Sequence, residues 1–286
     1  MIKDVFNAIA SAARRLLRSW RVILILLVLY LAMLGSVYLF FSTREATVSQ
    51  LLVSLALVIV TPVLWLVIQM IAVRYESEDH AGKLLLRSLA EFWKLAVIVL
   101  PLVILIGVAV YYLGSIEVKS VQETVRSVAA PRRVPGPRVP TVTSTPWQAV
   151  AFSTLQYLLT GLVLPLASIH LWVEAANNGL KKAFRTSART IAHAFAPRSF
   201  LTYAIGFVVF AIIPYFLVTR RTPITRPWLD VSLFGARLGL AALLSLIGWV
   251  VTVGALTRLA TSERPTVEQT SQSRTNQGTE HVPAET

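Results

Sequence analysis

The chain has 286 residues, of which 55% are hydrophobic and only 14% are charged. A water-soluble domain of this length needs a larger polar surface, so the composition excludes a soluble globular protein. The net charge is +13 and cysteine is absent, which excludes disulfides and thiolate metal sites.

Apolar residues form six long blocks. Each is about 20 residues long, enough at about 1.5 Å per residue to cross a hydrocarbon core of about 30 Å. None contains Asp or Glu, and only the last contains a basic residue, Arg237. Because lipid offers the backbone no hydrogen-bond partner, these blocks must be helical. We predict an all-α integral membrane protein with six transmembrane helices, at about 22–42, 51–73, 95–114, 149–173, 199–218 and 232–257.

Basic residues flank these blocks unequally. The flanks and loops on one side hold 17 of them, and those on the other side hold 9. Cytoplasmic segments of membrane proteins carry an excess of Lys and Arg. We therefore expect a multi-pass protein with both termini in the cytoplasm. The first block is too long for a secretory signal core and no clear cleavage site follows it, so we expect a retained helix.

A basic amphipathic segment precedes the first, third and fifth blocks. These segments read FNAIASAARRLLRSWR from Phe6, AGKLLLRSLAEFWK from Ala81 and NNGLKKAFRTSARTIAHAFAPRS from Asn177. Each places apolar and basic side chains on different helical faces, which suits a helix in the membrane interface. We predict three transmembrane hairpins, each preceded by a basic interfacial helix. An alternative stays open, because ordinary basic flanks of membrane proteins give a similar pattern.

The apolar face predicted for the first segment contains Val5, Phe6, Ile9, Ala13, Leu16, Leu17 and Trp20. Basic side chains at the interface lie among lipid phosphates. The predicted contacts with anionic headgroups are Arg14, Arg15, Arg18, Lys83, Arg87, Lys181, Lys182, Arg185 and Arg189.

Two segments lie outside the predicted 1–260 transmembrane domain or interrupt it. Residues 115–148 are rich in Pro and Arg, which predicts an extracytoplasmic loop. This loop is either a plain linker or an extended strip that docks an envelope partner. Residues 261–286 are polar and lack aromatic residues, which predicts a disordered cytoplasmic tail.

Polar groups inside membrane helices are the usual indicators of function, and here they are His170, Glu174 and Arg237. We expect the first two to mark the water interface or to hydrogen-bond a neighbouring helix, with a proton relay as the alternative. Arg237 is expected to extend outward, towards Asp230. Gly235 and Gly239 form a GxxxG motif, which predicts close helix packing within the chain or in a homo-oligomer.

No P-loop, HExxH or GxSxG motif is present, and the polar segments are too short for a catalytic domain. Prolines inside the second to fifth blocks, at Pro62, Pro101, Pro165 and Pro214, predict kinks. We assign no catalytic residue, metal, cofactor or nucleic-acid partner.

The stretch EAANNGLKKAFRTSARTIAHAFAPRSFLTY, with LLLRSLAEFWKLAVIVLPLVIL, resembles six-helix bacterial inner-membrane proteins. That group includes the membrane domain associated with glycerophosphodiester phosphodiesterases and the YciC-like proteins. The matching positions are Glu174, Gly179, Ala183, Phe184 and Arg185. The resemblance implies a helical module of the bacterial inner membrane, without the phosphodiesterase domain.

The same stretch resembles the cytoplasmic EAA loop of ABC-transporter permeases, through Glu174, Ala175, Ala176 and Gly179. In that family the loop docks a cytoplasmic partner. Two functional hypotheses follow. The first is a non-enzymatic module that binds anionic lipid or organises envelope partners. The alternative is a transporter or permease-type subunit with a coupling loop at 174–197.

Overall fold

The computed structural model describes residues 1–43, 47–78, 80–129, 147–220 and 227–262, with side chains omitted at 117–129, 148–149, 227 and 262. Most of the predicted 115–148 loop and of the 261–286 tail lies outside this part of the chain. The extended loop and the disordered tail therefore stay predictions.

Ten α-helices and two π-helical segments make up the described residues, with no strand among them. In chain order these are α1 (Ile2–Arg18), α2 (Trp20–Ser42), α3 (Val48–Arg74), α4 (Ala81–Ala129), α5 (Trp147–Leu158), the π segment Leu159–Val163, α6 (Leu164–Asn178), α7 (Leu180–Ala194), α8 (Pro197–Phe207), the π segment Val208–Ile212, α9 (Ile213–Thr219) and α10 (Pro227–Ser262).

In the part of the chain that the structure describes, six continuous helical stretches are long and apolar enough to cross a membrane. They are α2, α3, α4, the α5–α6 stretch, the α8–α9 stretch and α10, and each contains one of the predicted blocks. The predicted all-α membrane fold with six spans is confirmed. The spans pack as three hairpins, with α2 against α3, α4 against α5 and α6, and α8–α9 against α10.

The three amphipathic segments fold differently from one another. Ser19 leaves helical geometry between α1 and α2, and Gly179, at φ +79°, separates α6 from α7. These breaks make α1 and α7 separate helices. The second segment is instead the first turns of α4, which runs without interruption from Ala81 to Ala129. Proline is the residue that most often breaks a helix, and α4 contains none before Pro101. The amphipathic turns therefore continue directly into the span.

The buried core lies at one end of the bundle, here called the α1 end. There α1 meets α8 and α10, and the C-terminal turns of α3 and α6 meet α4. Buried residues are concentrated at 67–75 in α3, 166–175 in α6 and 246–257 in α10. The opposite end, here called the far end, exposes apolar side chains such as Leu55, Val150 and Val231. In a bilayer those side chains face lipid, whose acyl chains are as apolar as a protein interior.

Each π segment ends two residues before a proline, Pro165 or Pro214. Proline removes a backbone N–H and leaves the carbonyl four residues earlier without its helical donor. Neighbouring helices supply hydroxyls to these carbonyls: Tyr203 Oη donates to Gly161 O at 2.7 Å, and Ser245 Oγ donates to Phe210 O at 3.0 Å. The bundle thus compensates for two predicted kinks, whereas Pro62 and Pro101 lie within uninterrupted α-helix.

Glycines in α10 differ in what surrounds them. A Cβ added at Gly254 would lie 2.0 Å from Tyr75 Oη, so the absence of a side chain there lets α10 approach buried Tyr75. A Cβ added at Gly235 or Gly239 would meet nothing within 4 Å. Among the described residues, the GxxxG motif therefore mediates no close packing, and the close contacts of α10 occur at the α1 end instead.

We predict that Gly254→Ala lowers the free energy of unfolding by about 1–3 kcal/mol, because the added methyl group overpacks against Tyr75. Gly239→Ala is the matched control in the same helix, and it should leave stability unchanged or slightly raised, since alanine favours helix. Thermal unfolding of the detergent-purified chain measures both. Equal losses in the two variants would contradict the packing described for Gly254.

Candidate headgroup-binding site at the α1 end

Helix α1 is docked onto the bundle by a narrow face of small and branched residues. Val5, Ala8, Ala12 and Leu16 are buried on this face, and Ala8 and Ala12 pack with Ala255 of α10. The predicted apolar face is divided in the structure, because Val5 and Leu16 are buried against the bundle whereas Phe6, Leu17 and Trp20 are exposed. The helix has a protein-facing side and an outward apolar side, and hydrophobic periodicity alone does not distinguish them.

Polar contacts fix α1 in this position. Tyr75 Oη donates to the carbonyl of Ala12 at 3.5 Å. Arg258 donates to Ser11 Oγ at 2.5 Å and forms an ion pair with Glu76. Burial raises the pKa of Tyr75 far above its ordinary value, so its hydroxyl keeps its proton and remains a donor at any physiological pH.

A groove of about 880 Å³ lies between α1, the first turn of α2 and the start of α4. Its lining contains the cations of Arg14, Arg15, Arg18, Arg21 and Lys83, together with the imidazole of His80. Ser11, Ser19 and Trp20 also line it, and none of the described residues in the lining is acidic. We call this cavity the basic groove.

The start of α4 forms the second wall of the basic groove, through Ala81, Gly82 and Lys83. The first backbone N–H groups of a helix have no acceptor within it, and the helix dipole makes that end partly positive. This wall therefore adds hydrogen-bond donors to the cations of the α1 wall. Anions bind readily where such donors and cations converge.

Of the predicted headgroup contacts, Arg14, Arg15, Arg18 and Lys83 are thus brought together in the groove. Arg87 is not among its lining residues, although it lies only one turn beyond Lys83. Its guanidinium pairs with Glu78 at 2.6 Å and with Glu91 at 3.3 Å. Arg87 is predicted to contact a lipid headgroup, but in the structure it pairs with two carboxylates of the chain itself.

Glu91 is the centre of an ion-pair cluster that sequence analysis did not predict. Its carboxylate receives Arg74 Nη2 at 2.5 Å and Lys94 Nζ at 2.8 Å, besides Arg87. Arg74 is buried, and it also donates to the carbonyl of Ala176 at 3.3 Å. The cluster connects α3, α4 and α6. A basic residue that ends an apolar block indicates a membrane flank equally well. Only a pairing with Glu91, the one acidic residue of the amphipathic segment 81–94, could have revealed the cluster.

The other predicted basic residues lie along α7. Lys181, Lys182, Arg185 and Arg189 are exposed there, alongside partly exposed Phe184. Ala183 and Ala194 are buried on the opposite side, where α7 contacts α6, α4 and α8. This helix presents cations and an aromatic ring outward, as expected of an interfacial helix.

The three predicted intramembrane polar residues make local structural contacts. His170 is buried, with Nδ1 2.9 Å from the carbonyl of Leu166 and Nε2 3.2 Å from Ser199 Oγ on α8. Glu174 is also buried and accepts from Asn178 Nδ2 at 2.7 Å. Arg237 donates to the carbonyl of Arg220 at 2.8 Å rather than to the predicted Asp230. His170 thus bridges two helices.

Across the described residues, no group of three or more His, Asp or Glu side chains is placed to hold a metal ion. Comparison with protein-family models, with curated proteins and with solved structures finds no match to this chain. The basic groove is therefore interpreted from its own geometry and charge.

We predict that Arg74→Ala lowers the free energy of unfolding by about 3–5 kcal/mol, because it leaves Glu91 without its buried partner. Arg87→Ala is the control on the same carboxylate. It should cost less than about 1 kcal/mol, since the Arg87 side chain is 54% exposed and exposed ion pairs contribute little. Chemical or thermal unfolding in detergent measures the difference. Comparable losses would show that Arg74 does not hold the bundle together.

Proposed function

We propose that this protein is a non-enzymatic membrane module that binds anionic phospholipid through the basic surfaces of its α1 end. The observation that carries the proposal is the basic groove, where Arg14, Arg18, Arg21 and Lys83 converge with the start of α4 and none of the described lining residues is acidic. A lipid phosphate supplies the missing negative charge. Basic pockets beside membrane helices are known to favour anionic headgroups.

The outward cations of α7 support the same proposal. They lie on a helix whose buried side packs against the bundle, which holds their charge in a fixed position relative to the spans. Each Lys or Arg near an anionic membrane surface contributes about 1 kcal/mol of attraction. Helices α1 and α7 together would hold anionic lipid around the closely packed end.

We also infer that the α1 end faces the cytoplasm of a bacterial cell, in the inner membrane. The excess of basic residues in the segments assigned to that side, 17 against 9, supports this orientation. The resemblance to six-helix bacterial inner-membrane proteins supports the location. The exposed GxxxG of α10 is proposed as a contact with a second copy or another membrane protein.

A permease-type subunit is the second candidate. The two π segments beside Pro165 and Pro214 favour it, because such segments recur at functional sites in membrane helices. The EAA-like sequence spans the α6–α7 junction, where Glu174 is buried and Gly179 adopts a positive φ. Co-purification of an ATPase with the tagged chain would favour this candidate over the lipid-binding module.

We predict that nanodiscs containing phosphatidylglycerol raise the melting temperature of the full chain above its value in phosphatidylcholine nanodiscs. A ligand that binds only the folded state stabilises that state. The gain should shrink in about 0.5 M salt, which screens charges beyond roughly 4 Å. Arg237→Gln, at the far end, is the control and should retain the gain.

Equal melting temperatures in the two lipid compositions would contradict the proposed function. A gain that persists unchanged at high salt would also contradict it, because the attraction would then not be electrostatic.

The absence of cysteine allows a direct test of orientation. Ala192→Cys lies at an exposed position of α7, and Ser49→Cys lies at an exposed position at the far end. We expect a membrane-impermeant maleimide to label Ser49→Cys in intact spheroplasts and Ala192→Cys only in inverted vesicles. The reverse pattern would show that the α1 end faces outward.

A further inference from the structure

We propose that the basic groove is a stoichiometric site for one phospholipid whose headgroup carries at least two negative charges, with an acyl chain lying along the outer face of α2. The inference rests on the proposed function and specifies its ligand. It distinguishes a built site from a general attraction between basic helices and an anionic membrane.

The charge of the groove favours a dianionic phosphate. Besides Arg15, its lining holds Arg14, Arg18, Arg21 and Lys83, and no Asp or Glu occurs among the described residues that line it. Within the described part of the chain, no carboxylate forms an ion pair with Arg14, Arg18, Arg21 or Lys83. A phosphodiester carries one negative charge, whereas a phosphomonoester carries about 1.5 to 2 at pH 7. The second charge lets more of these cations make charge-assisted hydrogen bonds.

The placement of the cations suits one bound phosphate group better than the spread-out charge of an anionic membrane surface. Arg14 and Arg18 are one helical turn apart on α1, so their side chains leave the same side of the helix about 6 Å apart along its axis. Arg21 continues this wall on α2, with its guanidinium 5.7 Å from the centre of the Trp20 ring. Guanidinium groups bind phosphate oxygens in pairs, which fixes orientation as well as charge.

The opposite wall supplies donors of another kind. Lys83 adds a point charge, and the adjacent first turn of α4 adds backbone N–H groups. These two walls come from residues about 60 positions apart in the chain, a separation spanned by the α2–α3 hairpin. The contacts that pin α1, from Tyr75 to Ala12 and from Arg258 to Ser11, hold the first wall in place. The groove is therefore built by the fold before any ligand arrives.

The surroundings of the groove favour an amphiphile over a soluble anion. Trp20 and Val22 line the groove where α2 begins. Beyond them, Leu24, Val28 and Leu31 are exposed on α2, and their spacing places them on the same helical face as Trp20. A lipid with its phosphate in the groove can lay an acyl chain along this strip. A soluble phosphate would leave the strip unused.

The test is binding of defined lipids to the full-length chain in detergent, followed by native mass spectrometry. The probes are phosphatidic acid, phosphatidylglycerol and soluble glycerol 3-phosphate. We expect one saturable molecule of phosphatidic acid per chain, bound about 10-fold more tightly than phosphatidylglycerol, as one further charge-assisted hydrogen bond would give. Glycerol 3-phosphate at the same concentration should not displace it.

Charge-matched variants locate the site. Arg14→Gln with Arg18→Gln should weaken phosphatidic acid binding about 10-fold or more. Arg220→Gln with Arg237→Gln removes the same charge at the far end and should change binding by less than about 2-fold, since these residues lie outside the groove. Lys83→Gln tests the second wall independently of α1, and it should also weaken binding if the two walls hold one phosphate.

The inference is overturned if phosphatidylglycerol binds as tightly as phosphatidic acid, if the far-end variant loses as much affinity as the α1 variant, or if lipids bind without saturation. Displacement by glycerol 3-phosphate would overturn the assignment of a lipid. If phosphatidylglycerol nanodiscs still stabilise the chain, any of these outcomes contradicts the specific site but not the proposed function. If specific binding and stabilisation by anionic nanodiscs are both absent, the proposed function is contradicted as well.

Discussion

The structure depends on the buried ion pair between Arg74 and Glu91, which connects the end of α3 to α4. A buried charge is tolerated only where a partner and hydrogen bonds satisfy it. Here Arg74 also reaches the backbone of α6 through Ala176. Three of the six spans are therefore tied together at one point, and the densest packing of the bundle lies at the same end.

This cluster also explains why the basic groove is so positive. Glu91 forms ion pairs with Arg74 and Lys94, and Glu78 forms one with Arg87. Glu76 forms an ion pair with Arg258. Asp4 contacts the amino terminus. The described carboxylates near the α1 end thus neutralise cations elsewhere. Within the described residues, Arg14, Arg18 and Lys83 line the groove without a carboxylate partner, and like charges repel unless an anion separates them. The proposed ligand binding and the internal ion pairs would follow from one distribution of charge.

The six spans could be predicted from sequence because membrane-crossing length and apolar composition are local properties. The separate helices α1 and α7 follow from breaks at Ser19 and Gly179, but the predicted separate helix before the third span does not exist, since nothing interrupts α4. The buried face of α1 could not be chosen from periodicity. Lipid accepts Phe6 and Leu17 as readily as protein does, whereas only small residues such as Ala8 and Ala12 permit close approach to α10. The groove joins residues about 60 positions apart, and the Arg74–Glu91 pair joins two successive helices across 17 positions. Neither pairing is encoded in the periodicity of a single helix.

The most direct test of this account is an experimental structure of the full chain in nanodiscs that contain phosphatidic acid. The account predicts α1 packed against α10 through Ala8 and Ala12, with headgroup density in the groove between Arg14, Arg18 and Lys83 and an acyl chain beside Leu24. A groove without lipid density, or an α1 helix lying away from α10 in the membrane plane, would contradict it.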